Sequence, residues 1–213
     1  MIPNGIDLAY FSAAGGGAGA RMAHGIPADA PVALVLGRLE PWKGQRVFIE
    51  AVPGMLARCP EAWFLVVGGE AVNKPGYRAT LEARCAALKV GERVVFVDAV
   101  EDARDYLAAA DVLVAPSVSP EPFGRTLAEA MAAGVAVVAT RAGGPLDIVV
   151  EGETGLLAVP GDAASLAEAV GGLLSNRERA SAMGAAGAAR ARERYGIDRL
   201  VREMVEVFED LAH

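Results

Sequence analysis

Short apolar runs alternate with longer stretches of helical period along this chain. Runs apolar at nearly every position predict buried strands at Val32–Leu36, Trp63–Val67, Val94–Val97, Val112–Ala115, Val135–Thr140 and Gly155–Ala158. The segments between them predict helices at Gly44–Arg58, Tyr77–Leu88, Ala103–Ala109, Thr126–Ala133, Pro145–Val150 and Ala163–Leu174. Two more, Arg177–Tyr195 and Ile197–Leu211, close the chain. Strands with no polar alternation have no solvent face, so they belong to a parallel sheet covered on both sides. The expected fold is α/β, a doubly wound parallel sheet of Rossmann-like kind. The low-complexity segment Ala13–Ala20 reads as a surface loop. The charged residues of the last two helices read first as a solvated face, and second as a docking surface for another domain.

Composition narrows the partners. The net charge of −7 argues against nucleic acid, which needs a basic patch. No apolar run reaches the roughly 18 residues of a membrane span, and the opening residues lack a signal-peptide pattern. Two cysteines, Cys59 and Cys85, outside any metal-type spacing fit a reduced, cytoplasmic setting. His24 and His213 are the only histidines, so a Ser-His-Asp, Cys-His or His-metal site is hard to build.

The chemistry concentrates after the fourth predicted strand, in Pro120-Glu121-Pro122-Phe123-Gly124-Arg125-Thr126-Leu127-Ala128-Glu129-Ala130. Glu121 and Glu129 bracket a strand-to-helix turn. In open α/β sheets that edge is where ligands bind. The helix start offers free N–H groups and partial positive charge to a phosphate, and the carboxylates suit sugar hydroxyls. A second group, Gly37-Arg38-Leu39-Glu40-Pro41-Trp42-Lys43-Gly44, follows the first strand. Gly37 permits a sharp turn. Arg38 and Lys43 can meet phosphate oxygens. Structural alternatives exist for each: Arg38 and Lys43 pairing with carboxylates such as Glu40, Glu129 closing a capping box on Thr126, Glu121 merely solvated, and Phe123 plugging the core.

Taken in order, these motifs resemble the C-terminal, donor-binding half of retaining glycosyltransferases of the GT-B fold, family 4, glycosyl transferases group 1. Ile2-Pro3-Asn4-Gly5-Ile6-Asp7 resembles the inter-domain crossover and Gly37-Arg38-Leu39…Lys43-Gly44 the diphosphate segment. Glu121-Pro122-Phe123-Gly124…Glu129-Ala130 resembles the signature of two glutamates with seven residues between. Ala142-Gly143-Gly144-Pro145 and Glu151-Gly152-Glu153-Thr154-Gly155-Leu156-Leu157 match in order and spacing. The likeness spans nearly the whole chain. It implies one donor domain over 1–213, with a crossover and linker region at 1–30 and terminal helices at 177–213.

The resemblance also implies roles. Arg38 and Lys43, beside Gly37, neutralise the diphosphate, assisted by the N–H groups near Arg125, Thr126 and Leu127. Glu129 holds the ribose. Glu121 and the backbone at Phe123 and Gly124 hold the donor sugar, so Glu121, Arg38 and Lys43 are the catalytic candidates. Val97, Val100 and Arg104 neighbour the base. Asp98 stands where a glycine is common and Asp147 where a glutamate is common. The implied reaction moves a sugar from a nucleotide-sugar, UDP-sugar before GDP- or ADP-sugar, to an acceptor, with configuration retained, without a metal or other cofactor. The acceptor domain is expected to be missing, leaving this chain inactive alone; peripheral membrane association of the full enzyme stays open. Rival readings are a non-catalytic nucleotide-binding module and a sugar-nucleotide epimerase. A dinucleotide oxidoreductase fails for want of Gly-x-Gly-x-x-Gly after the first strand.

Overall fold

The computed structural model describes residues 2–12, 15–72 and 75–211. Two short helices, α1 (Leu8–Ser12) and α2 (Ala18–Ala23), precede β1 (Val32–Leu36). A 3-10 turn, Pro41–Lys43, leads into α3 (Gln45–Arg58), then β2 (Trp63–Val67), α4 (Tyr77–Leu88), β3 (Val94–Val97) and α5 (Arg104–Ala109). The second half runs β4 (Val112–Ala115), α6 (Arg125–Ala132), β5 (Ala136–Thr140), α7 (Pro145–Ile148), β6 (Leu156–Ala158), α8 (Ala163–Leu174), α9 (Arg177–Arg194) and α10 (Ile197–Leu211).

All six strands pair in parallel, in the order β3-β2-β1-β4-β5-β6. This is the doubly wound, Rossmann-like fold that the apolar strand runs predict. Alternation within each strand builds two cores. Ala33, Val35, Phe64 and Val66 face Phe48, Met55, Leu81, Leu166 and Leu173 on one side. Leu34, Leu65, Leu113 and Val137 face Leu107, Leu127 and Met131 on the other. Each large side chain so buried contributes about 1.5–3 kcal/mol. The order reverses between β1 and β4, where successive crossovers wind in opposite directions. Their exit loops diverge there and leave a crevice at the carboxyl edge.

Two expectations need correction. The segment expected to loop through Ala20 becomes helical at Ala18, and the Ala20 N–H donates to Asp105 Oδ2 at 2.8 Å; Ala13 and Ala14 lie outside the described residues. The helix expected from Thr126 begins at Arg125. Among the described residues of the N-terminal segment, Ile6, Phe11, Ile26 and Ala30 are buried. The Ile6 N–H donates to the Tyr195 carbonyl at 2.7 Å, and the Ile6 carbonyl accepts from Ile197 N–H at 2.9 Å. The charged residues of α9 are exposed or half-buried, as expected of a solvated face, while its opposite face packs into the domain. Ala180, Met183, Gly184, Gly187, Ala188 and Ala191 are buried, and the two glycines let it lie close against the Gly134 backbone and Met131. In α10, by contrast, no residue is buried, and Val201, Met204, Val205, Phe208 and Leu211 are exposed.

Candidate functional site

The site forms where the turn leaving β1 meets the turn leaving β4. Gly44 links the Pro41–Lys43 turn to α3 in the left-handed conformation, φ 75°. A Cβ there would lie 1.8 Å from the Pro116 carbonyl oxygen, so only glycine lets the two turns approach. A loop after β5 closes the other flank. Gly143 has φ 67°, and a Cβ would lie 2.4 Å from the Glu121 carbonyl oxygen. That carbonyl accepts from the Gly144 N–H at 2.7 Å, which holds the Glu121 loop in place.

Lys43 and Glu121 come together across the reversal. Lys43 Nζ donates to both carboxylate oxygens, at 2.8 and 2.9 Å, and lies 4.2 Å from the Trp42 ring centroid. Ser117 Oγ donates to Glu121 Oε2 at 3.0 Å, and the Ser117 carbonyl accepts from Thr140 Oγ1 at 2.7 Å. One chain of bonds thereby ties the ends of β1, β4 and β5. An ammonium has three N–H donors, so Lys43 keeps one for a ligand. Glu121 is therefore not merely solvated, and the partner of Lys43 is Glu121 rather than Glu40. Arg38 is 70% exposed at its side chain and only 3.8 Å from Glu40, beyond hydrogen-bond range. Trp42 Nε1 holds the second oxygen of Glu40. Among the described residues the Arg38 guanidinium makes no hydrogen bond, only this longer ion pair with Glu40.

The capping box does not form. The N-cap of α6 is Gly124, with no side-chain bond at the cap. Glu129 is buried and accepts instead from Arg125 Nε at 2.7 Å. Burial raises the pKa of Glu129, and Arg125 pulls it back. The Arg125 and Thr126 N–H groups at the start of α6 take no backbone acceptor, while Leu127 N–H is used by the Gly124 carbonyl at 2.9 Å. The Leu127 side chain is fully buried. Phe123 is half-buried, edge-on to Tyr195 with centroids 5.8 Å apart. Its ring acts as a plug, and its backbone lies close against Gly144, where an added Cβ would stand 2.3 Å from the Phe123 carbonyl oxygen.

The expected base contacts divide. Val97 and Val100 are half-buried against the core beneath the end of β3. Arg104 is committed elsewhere: its Nε donates to the Asp102 carboxylate at 2.9 and 3.0 Å, and its guanidinium lies 3.9 Å from the Tyr10 ring centroid. It holds the Asp102 carboxyl well below the usual carboxylate range. Asp98 pairs with Arg78 at 2.5 Å. His24 Nε2 lies 3.2 Å from the Tyr106 hydroxyl, and His213 falls outside the described residues. Among those residues, no group of three or more His, Cys, Asp or Glu is placed to hold a metal, and no helix is long and apolar enough to cross a membrane.

Sequence reasoning missed Ser117, Thr140 and Gln45. A polar residue at or just past the end of an apolar strand, or in the first turn of a helix, was the available signal.

The glycosyl transferases group 1 family matches residues 20–190. The chain is 37% identical, over 87% of its length and 50% of the relative's, to a GDP-mannose-dependent alpha-(1-6)-phosphatidylinositol monomannoside mannosyltransferase of Mycolicibacterium smegmatis. It is 36% identical to a D-inositol 3-phosphate glycosyltransferase of Streptomyces scabiei, over 100% of this chain and 49% of the relative. Among solved structures, Anabaena HepE in complex with UDP and glucose superposes with a TM-score of 0.89 at 30% identity, over 98% of this chain and 56% of that one. The C-terminal domain of a glycosyl transferase group 1 protein from Francisella tularensis superposes with a TM-score of 0.80 at 26% identity, over 91% of this chain and 100% of that one. The chain spans about half the length of the curated relatives it matches. It belongs to the glycosyl transferases group 1 family.

Proposed function

We propose that this chain is the donor-binding half of a retaining, family 4 glycosyltransferase. It holds a nucleotide-sugar while the sugar passes to an acceptor bound by a second domain. The observation that carries the reading is the meeting of Lys43, Glu121 and the free N–H groups of α6 at the strand-order reversal, with Arg38 exposed on the β1 turn and held only by a 3.8 Å ion pair to Glu40. Arg38, the third N–H of Lys43 and the start of α6 meet the diphosphate. Charge grows on that diphosphate as the glycosidic bond breaks, so these groups stabilise the transition state more than the ground state. Glu129 takes the ribose hydroxyls. Glu121, oriented by Ser117 and Lys43, takes the donor sugar with the Phe123 and Gly124 backbone. Val97 and Val100 border the base.

The donor is a UDP-sugar first, supported by HepE, whose structures hold UDP, UDP and glucose, or UDP-glucose. A GDP-sugar is the second reading, favoured by the GDP-mannose-dependent relative. Placement in the C-terminal half is supported by the likeness to the Francisella domain. Cations and amides carry the anion site, so binding proceeds without a metal, and the cytoplasm supplies nucleotide-sugars. Acceptor choice and any peripheral contact with a membrane belong to the other half. Alone, this chain binds donor without efficient transfer, since proximity of the two substrates supplies about 7–11 kcal/mol of such barriers.

Calorimetry with UDP, GDP and ADP, with and without EDTA, tests the reading. Heat with UDP at millimolar ligand, unchanged by EDTA, is expected. No heat with any of the three on folded protein removes it. The epimerase alternative predicts release of an epimeric sugar nucleotide without an acceptor.

A further inference from the structure

Gln45 opens α3 at the floor of the crevice and is only 1% exposed. Its Nε2 donates to the Arg38 carbonyl at 2.8 Å. Its Oε1 accepts no hydrogen bond from the protein. The chemistry fixes which way the amide faces, because a flipped amide would set two acceptor oxygens against each other.

Strand geometry explains why Arg38 needs this partner. Gly37 and Leu39 N–H donate to the Val67 and Gly69 carbonyls at 2.9 and 2.8 Å, so these residues face β2. Along an extended chain, successive residues face opposite neighbours, so the polar groups of Arg38 face the β4 side. There β4 has already ended at Ala115, and its last pairing with β1 is at Leu34↔Leu113. The Gln45 amide stands in for the missing strand. A void of about 20 Å³ lies beside it, bordered by Gly37, Lys43, Ser117, Glu121 and Thr126. That volume takes one water-sized O–H group, and the free Oε1 is the buried acceptor able to receive it.

We propose that Gln45 is a positioning residue for anion binding: its N–H pins the turn carrying Arg38, and its free carbonyl takes one O–H group, water or ligand hydroxyl, that links this turn to the Ser117–Glu121 turn. This rests on the reading of Arg38 as a diphosphate contact. Gln45→Met takes the N–H donor from the Arg38 carbonyl and leaves that acceptor unsatisfied, while it also removes the unbonded Oε1. The variant should therefore melt somewhat below the wild type and bind UDP roughly tenfold more weakly, the loss of affinity belonging to the untethered Arg38 turn. If Gln45→Met does not fold, Gln45→Glu, which keeps the shape but loses the N–H, takes its place with the same expected loss of affinity.

A double-mutant cycle is the test, read by calorimetry with UDP on this chain. Gln45→Met should cost roughly tenfold in the wild-type background and less than about twofold alongside Arg38→Ala, because residues acting together are not additive. Equal losses in both backgrounds, or none in the wild type, overturn the positioning role while leaving the proposed function standing. An Arg38→Ala variant that binds as wild type removes Arg38 from the anion site and this inference with it. Wild-type protein that binds none of UDP, GDP and ADP removes the proposed function itself.

Discussion

The turn leaving β1 and the turn leaving β4 face each other across the reversal, and each enters its helix through a left-handed glycine. Gly44 has φ 75° and Gly124 has φ 96°. Beyond that likeness they differ in charge and in what they lean on. The β1 turn carries cations, Arg38 and Lys43; the β4 turn carries acids, Glu121 and Glu129. Gly44 leans on backbone, the Pro116 carbonyl. Gly124 leans on the tip of the Leu127 side chain, which would stand 3.0 Å from an added Cβ. The β1 turn is thus held against backbone and leaves Arg38 exposed with only a long ion pair, while the carboxylates of the β4 turn are ordered by Lys43 and Ser117 on Glu121 and by Arg125 on Glu129. An anion site in an acidic chain needs this division, because contact distances rather than net charge set the local field.

Exchanging the glycines breaks the comparison with the largest effect. Gly44→Ala should fail to fold or lose several kcal/mol, since a left-handed non-glycine costs about 1–2 kcal/mol before the backbone clash is added. Gly124→Ala should lose only about that strain, because Leu127 can shift. Urea denaturation of both variants checks the difference, and equal losses would mean that the two turns are held alike.

Removing the bridge between the turns comes next. Lys43→Ala leaves Glu121, whose side chain is 15% exposed, without its cation. The loss of stability should be about 2 kcal/mol, below the roughly 3–5 kcal/mol of fully buried pairs. UDP affinity should fall tenfold or more. Retained affinity by calorimetry would show that the amides of α6 suffice.

Within the β4 turn, Glu129→Gln separates stability from binding. Burial raises the folded pKa of Glu129 above its ordinary value of 4.5. The folded state then holds the proton more tightly than the unfolded state, so this group favours folding below the unfolded pKa. That contribution is lost as pH rises through the folded pKa. Glu129→Gln should flatten the fall in melting temperature above pH 4.5. It should also leave the neutral-pH protein at least as stable, and weaken UDP binding about tenfold, the worth of a bond to a charged acceptor. Unchanged affinity would leave Glu129 a structural residue.

Arg125→Ala should do least. Its side chain is 74% exposed, and exposed pairs contribute about 0–1 kcal/mol. The melting temperature should barely move, while the pKa of Glu129, followed by carboxylate NMR, should rise further without its cation. No rise would mean that solvent already screens the pair.

Much of the fold was legible because apolar runs and helix periods are local. β1, β2, β3 and β4 lie where Val32–Leu36, Trp63–Val67, Val94–Val97 and Val112–Ala115 predict them. The helix α9 lies where Arg177–Tyr195 predicts it, but its packing was not legible, because its buried face is alanine and glycine with a single methionine, Met183. Such small residues gain burial only when a neighbouring backbone comes close, and no period in the chain announces that. The companion helix α10 has the stronger apolar pattern and no buried residue.

By itself, the sequence determined the strand runs, the two glycine-led turns and the residue types gathered in them, since each follows from propensity and spacing over a few positions. Only the tertiary structure decided their partners. Lys43 finds Glu121 rather than Glu40, Glu129 finds Arg125 rather than the cap, Arg104 is committed to Asp102 and Tyr10, and Gln45 replaces a strand that has ended. The strand-order reversal brings together Lys43 and Glu121, 78 positions apart. Pairing among charged side chains depends on distances of a few ångströms that no local pattern encodes.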